Sequence, residues 1–219
     1  MSYHVQVAKL FFRREDSLFR IREAEQLHGL WKRVAWFFVF SMLLFGFLAW
    51  KGLGMDPISV IATELSFAEY ESLKLFFLLG RAIFGILLAL AILFFTPLVF
   101  WIFTDIPYRK LVTVQLNVLL VMFIERLTWV FFIHYIGLDW YVSPLSFGII
   151  TSYITQIDWW IYFFGAFSIF QIWIMWFQWK AITDFSEMAK WKAWMLVILL
   201  HISYWAVAAT LAIYDLQLL

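Results

Sequence analysis

Apolar residues along this chain gather into five long runs, near Val34–Trp50, Ala82–Phe103, Leu111–Ile136, Trp159–Trp179 and Ala193–Tyr214, with short polar breaks between them. A helix of about 20 mostly apolar residues crosses the roughly 30 Å hydrocarbon layer of a bilayer, and each run approaches or exceeds that length. The pattern predicts an all-α integral membrane protein: a five-transmembrane-helix bundle over residues 34–219, preceded by an N-terminal amphipathic cytoplasmic helix in an arm of residues 1–33.

Within the arm, AKLFFRREDSLFRIREAEQLHGLWKRV reads as a helix broken near Glu15–Asp16 and restarted with Asp16 or Ser17 as N-cap. Leu18, Ile21 and Leu27 recur at helical spacing while charges fill the other faces, so the helix is expected to lie on the inner leaflet or on the membrane domain. Arg13, Arg14 and Arg20 are its candidate partner-binding residues, and Gly29 allows a bend into the first span.

After the first span, Pro57 is a helix start with Ile58, Ile61 and Leu65 on one stripe, and Ser66 with Glu69 forms a capping box that opens the helix leading into the second span. Asp184 with Glu187 is a second possible box, ahead of the fifth span. The connection GLDWYVSPLSFGIITSYITQID carries only acidic charge and many aromatic and β-branched residues, so it is expected in the outer interface or folded back over the helices. Gly85 with Ala89, and Ala208 with Ala212, predict close helix packing.

Composition strengthens the membrane reading: 65% of residues are hydrophobic, 22% aromatic and 14% charged, with a mean hydropathy of +0.87. The absence of Cys removes disulfides, thiolate metal sites and thiol nucleophiles. Charge distribution sets the expected topology: 12 Lys and Arg fall in the arm and the second and fourth connections, against Lys51, Lys74 and Arg81 on the other side. The positive-inside rule then puts the N-terminus in the cytoplasm and, after five crossings, the C-terminus outside. Trp31, Trp36, Trp101 and Trp191 at inner ends, with Trp50, Trp140, Tyr141 and Trp160 at outer ends, fit two interfacial aromatic belts.

Catalytic signatures are not found: the chain has no G-x-S-x-G, H-E-x-x-H, Walker or dinucleotide-binding motif, and its four histidines lack the i, i+3 or i+4 pairing of a helical metal site. No catalytic residue, cofactor or metal is assigned. The candidates are polar residues inside spans, each costly in hydrocarbon: Asn117, Gln171 and His201, able to form one layer near the cytoplasmic ends of their spans, and Glu125–Arg126 in the middle of the third. Adjacent helical residues point about 100° apart, so these two charges are expected to reach toward different helices, with Trp129 placed for a cation–π contact to Arg126.

The stretch IDWWIYFFGAFSIFQIWIMWFQWKAITDFSEMAKWKAWMLVILLHISYWAV, with Phe170 and Trp173 in the fourth span and a basic linker ending at Lys192–Ala193, resembles the closing third of the bacterial Yip (Ypt-interacting protein) domain family. IPYRKLVTVQLNVLL and RREDSLFRIRE are similar to that family's third-span start and N-terminal arm. The resemblance implies a five-span, non-enzymatic adaptor in the bacterial cytoplasmic membrane, an accessory subunit of another membrane complex such as an ABC-type exporter. Its implied partners are the lipid bilayer and that complex, with no nucleic acid. The alternative from the residues is a small transporter or channel built on the intramembrane polar groups.

The charge asymmetry generates a first prediction. A tag at Leu219 is reached by membrane-impermeant reagents in intact cells; labelling only after lysis contradicts the N-in, C-out topology.

Overall fold

The computed structural model describes residues 2–55, 58–59 and 61–213. The expected helix start at Pro57, the end of the last run at Tyr214 and the terminal Leu219 lie outside them. The described residues are mostly helical, with one small strand pair among them: β1 (Ser2–His4), α1 (Val7–Phe12), α2 (Arg14–Glu23), β2 (Gln26–His28), α3 (Leu30–Trp50), α4 (Phe67–Leu90), α5 (Thr96–Phe103), α6 (Tyr108–Ile136), α7 (Gly148–Ile154), α8 (Asp158–Ala166), α9 (Ile169–Phe185) and α10 (Lys190–Ile213). Among the described residues, four helical stretches are long and apolar enough to cross a membrane: Leu30–Trp50, Phe67–Phe103, Tyr108–Ile136 and Lys190–Ile213. Only 28–44% of their most apolar windows is buried within the protein. So much apolar surface left uncovered is what lipid-facing helices present and what a water-soluble chain avoids.

The run expected as the fourth span forms two shorter helices, α8 and α9, divided at Phe167–Ser168, and neither is among those four. The Phe147 amide donates to the Phe167 carbonyl at 3.0 Å, and Ser168 forms an antiparallel bridge with Ser146. These strand-like bonds draw Phe167 and Ser168 out of the helical ladder.

Two compact units compose the chain. The first comprises Met1–Phe37, Ala89–Glu125 and Ile169–Tyr204. Its core gathers Phe100, Ile106, Leu111, Ile182, Ala193, Val197 and Leu200. The stretch of α6 from Leu111 to Leu119 is buried on every face, its polar Thr113, Gln115 and Asn117 included. Pro97 cannot donate to Leu93, and its ring opposes the carbonyl there; just ahead of it the ladder widens into a π-turn, Ala91–Phe95, capped by the Thr96 amide on Ala91 O.

The arm belongs to this unit and departs from the expected pattern in two places. The helix breaks at Arg13, earlier than Glu15–Asp16; Glu15 and Asp16 lie in the first turn of α2, where they complement the helix dipole. Leu27 is in β2, which pairs in parallel with β1 so that Tyr3 lies opposite Leu27; backbone pairing there replaces a third helical turn. Leu10, Leu18 and Ile21 are buried as an apolar stripe should be, Phe11 meets Trp173 at 5.8 Å, and Gly29 adopts φ +74° at the bend. At the other connection Asp184 accepts from Lys180 at 2.9 Å, so α9 runs on to Phe185 and the expected Asp184–Glu187 box does not form.

The second unit comprises Phe38–Leu88, Arg126–Ser168 and Trp205–Leu219. Gly52, at φ +86°, closes α3 with a Schellman pair: its amide bonds Ala49 O at 2.9 Å and the Leu53 amide bonds Leu48 O at 3.1 Å. The stripe expected from Ile58 to Leu65 is interrupted by a 3-10 turn, Ala62–Glu64, and an extended Leu65 that leads into the next helix start. There the capping box forms as expected: the Ser66 amide and hydroxyl reach Glu69 Oε2 at 2.9 and 2.6 Å, and the Glu69 amide reaches Ser66 Oγ at 3.4 Å. Helices α3 and α4 touch at Gly85, whose carbonyl accepts from Ser41 Oγ at 2.7 Å.

A Cβ on Gly85 would meet the Ser41 carbonyl at 2.7 Å, whereas one on Gly80 would meet nothing within 4 Å. Gly85→Ala therefore lowers the melting temperature in mild detergent, and Gly80→Ala in the same helix leaves it unchanged or raises it, by up to about 1 kcal/mol of helix propensity. Equal losses in the two variants contradict the close approach.

Candidate functional site

In the first unit, α6, α9 and α10 each place a polar side chain where hydrocarbon-facing helices carry apolar ones. Gln178 is the hub: its Nε2 donates to Gln115 Oε1 at 3.0 Å, and its Oε1 lies 2.9 Å from His201 Nε2. A carbonyl oxygen only accepts, so His201 donates through Nε2 and the three side chains form a directed chain from imidazole to Gln178 to Gln115. Two helical turns along α9, Gln171 Nε2 donates to Glu125 Oε2 at 3.0 Å. Gln115, Gln178 and Glu125 are at most 3% exposed, and His201 is 4% exposed. This is a set of interhelical clasps, each bond worth about 0.6 kcal/mol by the measured average for membrane helices.

Asn117, expected in the same layer, is fully buried, and neither atom of its amide meets a hydrogen-bond partner among the described residues. It is two residues from Gln115, roughly 200° around the helix. The layer is therefore Gln115–Gln178–His201, with Gln171 turned to Glu125. Gln115 and Gln178 escaped the sequence reading. The available signal was their spacing: Gln171 and Gln178 are seven apart, on one face of α9.

The second unit holds Arg126, and with it a cavity of about 260 Å³. Its guanidinium Cζ lies 3.9 Å from the centroid of Trp129, as the i, i+3 spacing predicted, and 5.7 Å from that of Phe45. Arg81, on α4, also lines the cavity and is 4% exposed; it has Phe45, Phe77 and Phe84 at 6.0, 5.9 and 6.0 Å. Sequence reading placed Arg81 among the outer charges because it stands one residue before an apolar run. Phe77 and Phe84, at i−4 and i+3, were the sign of an aromatic enclosure.

The cavity wall is an aromatic ladder. Trp129 stacks on Trp140 at 5.7 Å, Trp140 on Tyr162 at 6.0 Å, and Tyr141 meets Tyr162 edge-on at 4.9 Å. The connection after α6 thus folds back over the helices. Glycines hold it there: a Cβ on Gly148 would collide with the Tyr141 carbonyl, and one on Gly165 would meet Tyr141 Cβ at 2.7 Å. Burial, with Asp139 beside it, pushes the Tyr141 phenol up to about 12, so at neutral pH it stays protonated and donates to Asp139 Oδ2 at 3.1 Å.

Of the arm candidates, Arg14 places its guanidinium 4.5 Å over Trp176, and Arg20 pairs with Asp16 at 3.0 Å in the exposed part of α2; Arg13 is exposed at the helix break.

These placements predict opposite signs for two conservative changes. Asn117→Leu removes a buried amide and leaves stability unchanged or raises it by about 1 kcal/mol, whereas Gln178→Leu breaks two clasps and lowers it by about 1 kcal/mol or more. Denaturant unfolding in mixed micelles checks both, and a loss in the Asn117 variant as large as that at Gln178 contradicts the assignment.

No protein-family model, curated protein or solved structure matches this chain.

Proposed function

We propose that the chain is a five-span, N-in accessory subunit of the bacterial cytoplasmic membrane, a non-enzymatic adaptor that binds and helps assemble or regulate another membrane complex. In this reading the divided helix α8–α9 supplies the fifth crossing. One observation carries the proposal: five buried polar side chains of the first unit are joined to one another, Glu125 to Gln171 and His201 through Gln178 to Gln115, as clasps that hold helices rather than as the lining of a solute path. The resemblance to the Yip family points to an ABC-type exporter as the complex. A small transporter or channel is the second reading, favoured by the arginine-lined cavity of the second unit.

The arm is the docking element in this proposal. Its apolar stripe is occupied by the first unit, while Phe12 and Phe19 stand 81% and 62% exposed beside Arg13 and Arg20. Reversing Arg13 and Arg20 to Glu, with Arg14 left on Trp176, abolishes co-purification of a membrane complex from mild detergent while the protein stays inserted. Unchanged co-purification rejects the docking role of the arm.

A further inference from the structure

Two histidines that lie 24 residues apart in the chain stand side by side where the arm turns into α3. Strands β1 and β2 pair in parallel with His4 opposite His28, and the imidazole centroids are 5.3 Å apart at an interplanar angle of 35°. Residues in register across a parallel pair share a face, as do alternate residues of one strand, so Ser2 and Gln26 flank the imidazoles and bring no charge. Both histidines are exposed, which leaves the pair open to solutes.

Imidazole binds divalent transition metals such as Zn²⁺ through a ring nitrogen at about 2.0–2.1 Å, which puts the ion about 3.2 Å from the ring centroid. Two such rings around a tetrahedral ion have centroids about 5.2 Å apart. The observed 5.3 Å meets that requirement with the strands as they stand. Among the described residues no group of three or more His, Asp or Glu is gathered for a metal, so two imidazoles are the protein's share of the shell and water completes it. Two strands of three residues each are a marginal pair on backbone bonds alone. An ion across them closes the loop that holds α1 and α2, and its binding free energy adds to the ordered form of the arm.

We propose that His4 and His28 form a two-imidazole site for a divalent transition-metal ion such as Zn²⁺, and that the bound ion clips β1 to β2. The site uses neither the interhelical clasps nor Arg13 and Arg20, and its readout is metal binding rather than a partner complex, so it is tested separately from the adaptor reading.

Isothermal titration of the full chain in mild detergent, purified without a histidine tag, measures binding of Zn²⁺ alone and of Mg²⁺ alone. Zn²⁺ binds and Mg²⁺ does not, since Mg²⁺ takes oxygen ligands. His4→Gln and His28→Gln each weaken Zn²⁺ binding about tenfold or more, because the second bond of a chelate is intramolecular. Both side chains are exposed, so the changes leave folding and insertion intact, and His134→Gln, at another exposed histidine, leaves the affinity unaltered. In hydrogen exchange, Zn²⁺ slows the Val5 amide, which donates to the His28 carbonyl at 3.1 Å, and loses that effect in His4→Gln. No binding of Zn²⁺, unchanged affinity in His4→Gln or His28→Gln, an equal loss in His134→Gln, or Val5 exchange indifferent to Zn²⁺ overturns the proposal.

Discussion

Hydrocarbon offers no hydrogen bonds, so a polar side chain carried into a bilayer is costly unless it finds a partner on another part of the protein. Helix α6 meets that constraint with two adjacent charges. Glu125 and Arg126 point about 100° apart, and each takes a different solution: the carboxylate accepts an amide hydrogen bond from Gln171, and the guanidinium lies on the face of Trp129. The first is a helix clasp. The second places a cation on an aromatic wall beside a cavity.

That difference separates two uses of polarity in one chain. Where Gln115, Gln178 and His201 meet, two hydrogen bonds run along a single line from His201 through Gln178 to Gln115 and tie three helices together. Where Arg81 and Arg126 line the cavity, their guanidinium groups lie against aromatic rings.

Periodicity made the long helices legible, because a helix of 20 apolar residues has few other homes. Local chemistry with fixed spacing was legible too: the Ser66–Glu69 box, the bend at Gly29 and the Arg126–Trp129 contact all depend on neighbours within four residues. Much of what escaped depends on distant chain. The pairing of Tyr3 with Leu27 and the bridge of Ser146 to Ser168 override helical propensity through backbone bonds that no local window contains. Gln115 and Gln178 were passed over because a glutamine near the end of a span looks like an interfacial residue until its partner on another helix is known. Arg81 was read as an interfacial charge for the same reason, and its enclosure depends on Phe45, which is remote in sequence.

The central claim is that the polar interior of the first unit is a dry clasp. Because the chain has no Cys, a single cysteine at position 171 or 178 reports on water there without background. Labelling with a small membrane-impermeant thiol reagent in native membranes is the direct measurement. The account predicts no reaction at either position from either side, beside rapid reaction of a cysteine at exposed position 139 from one side. Reaction at 171 and 178 at rates near that of position 139 would show a water-filled path and contradict it.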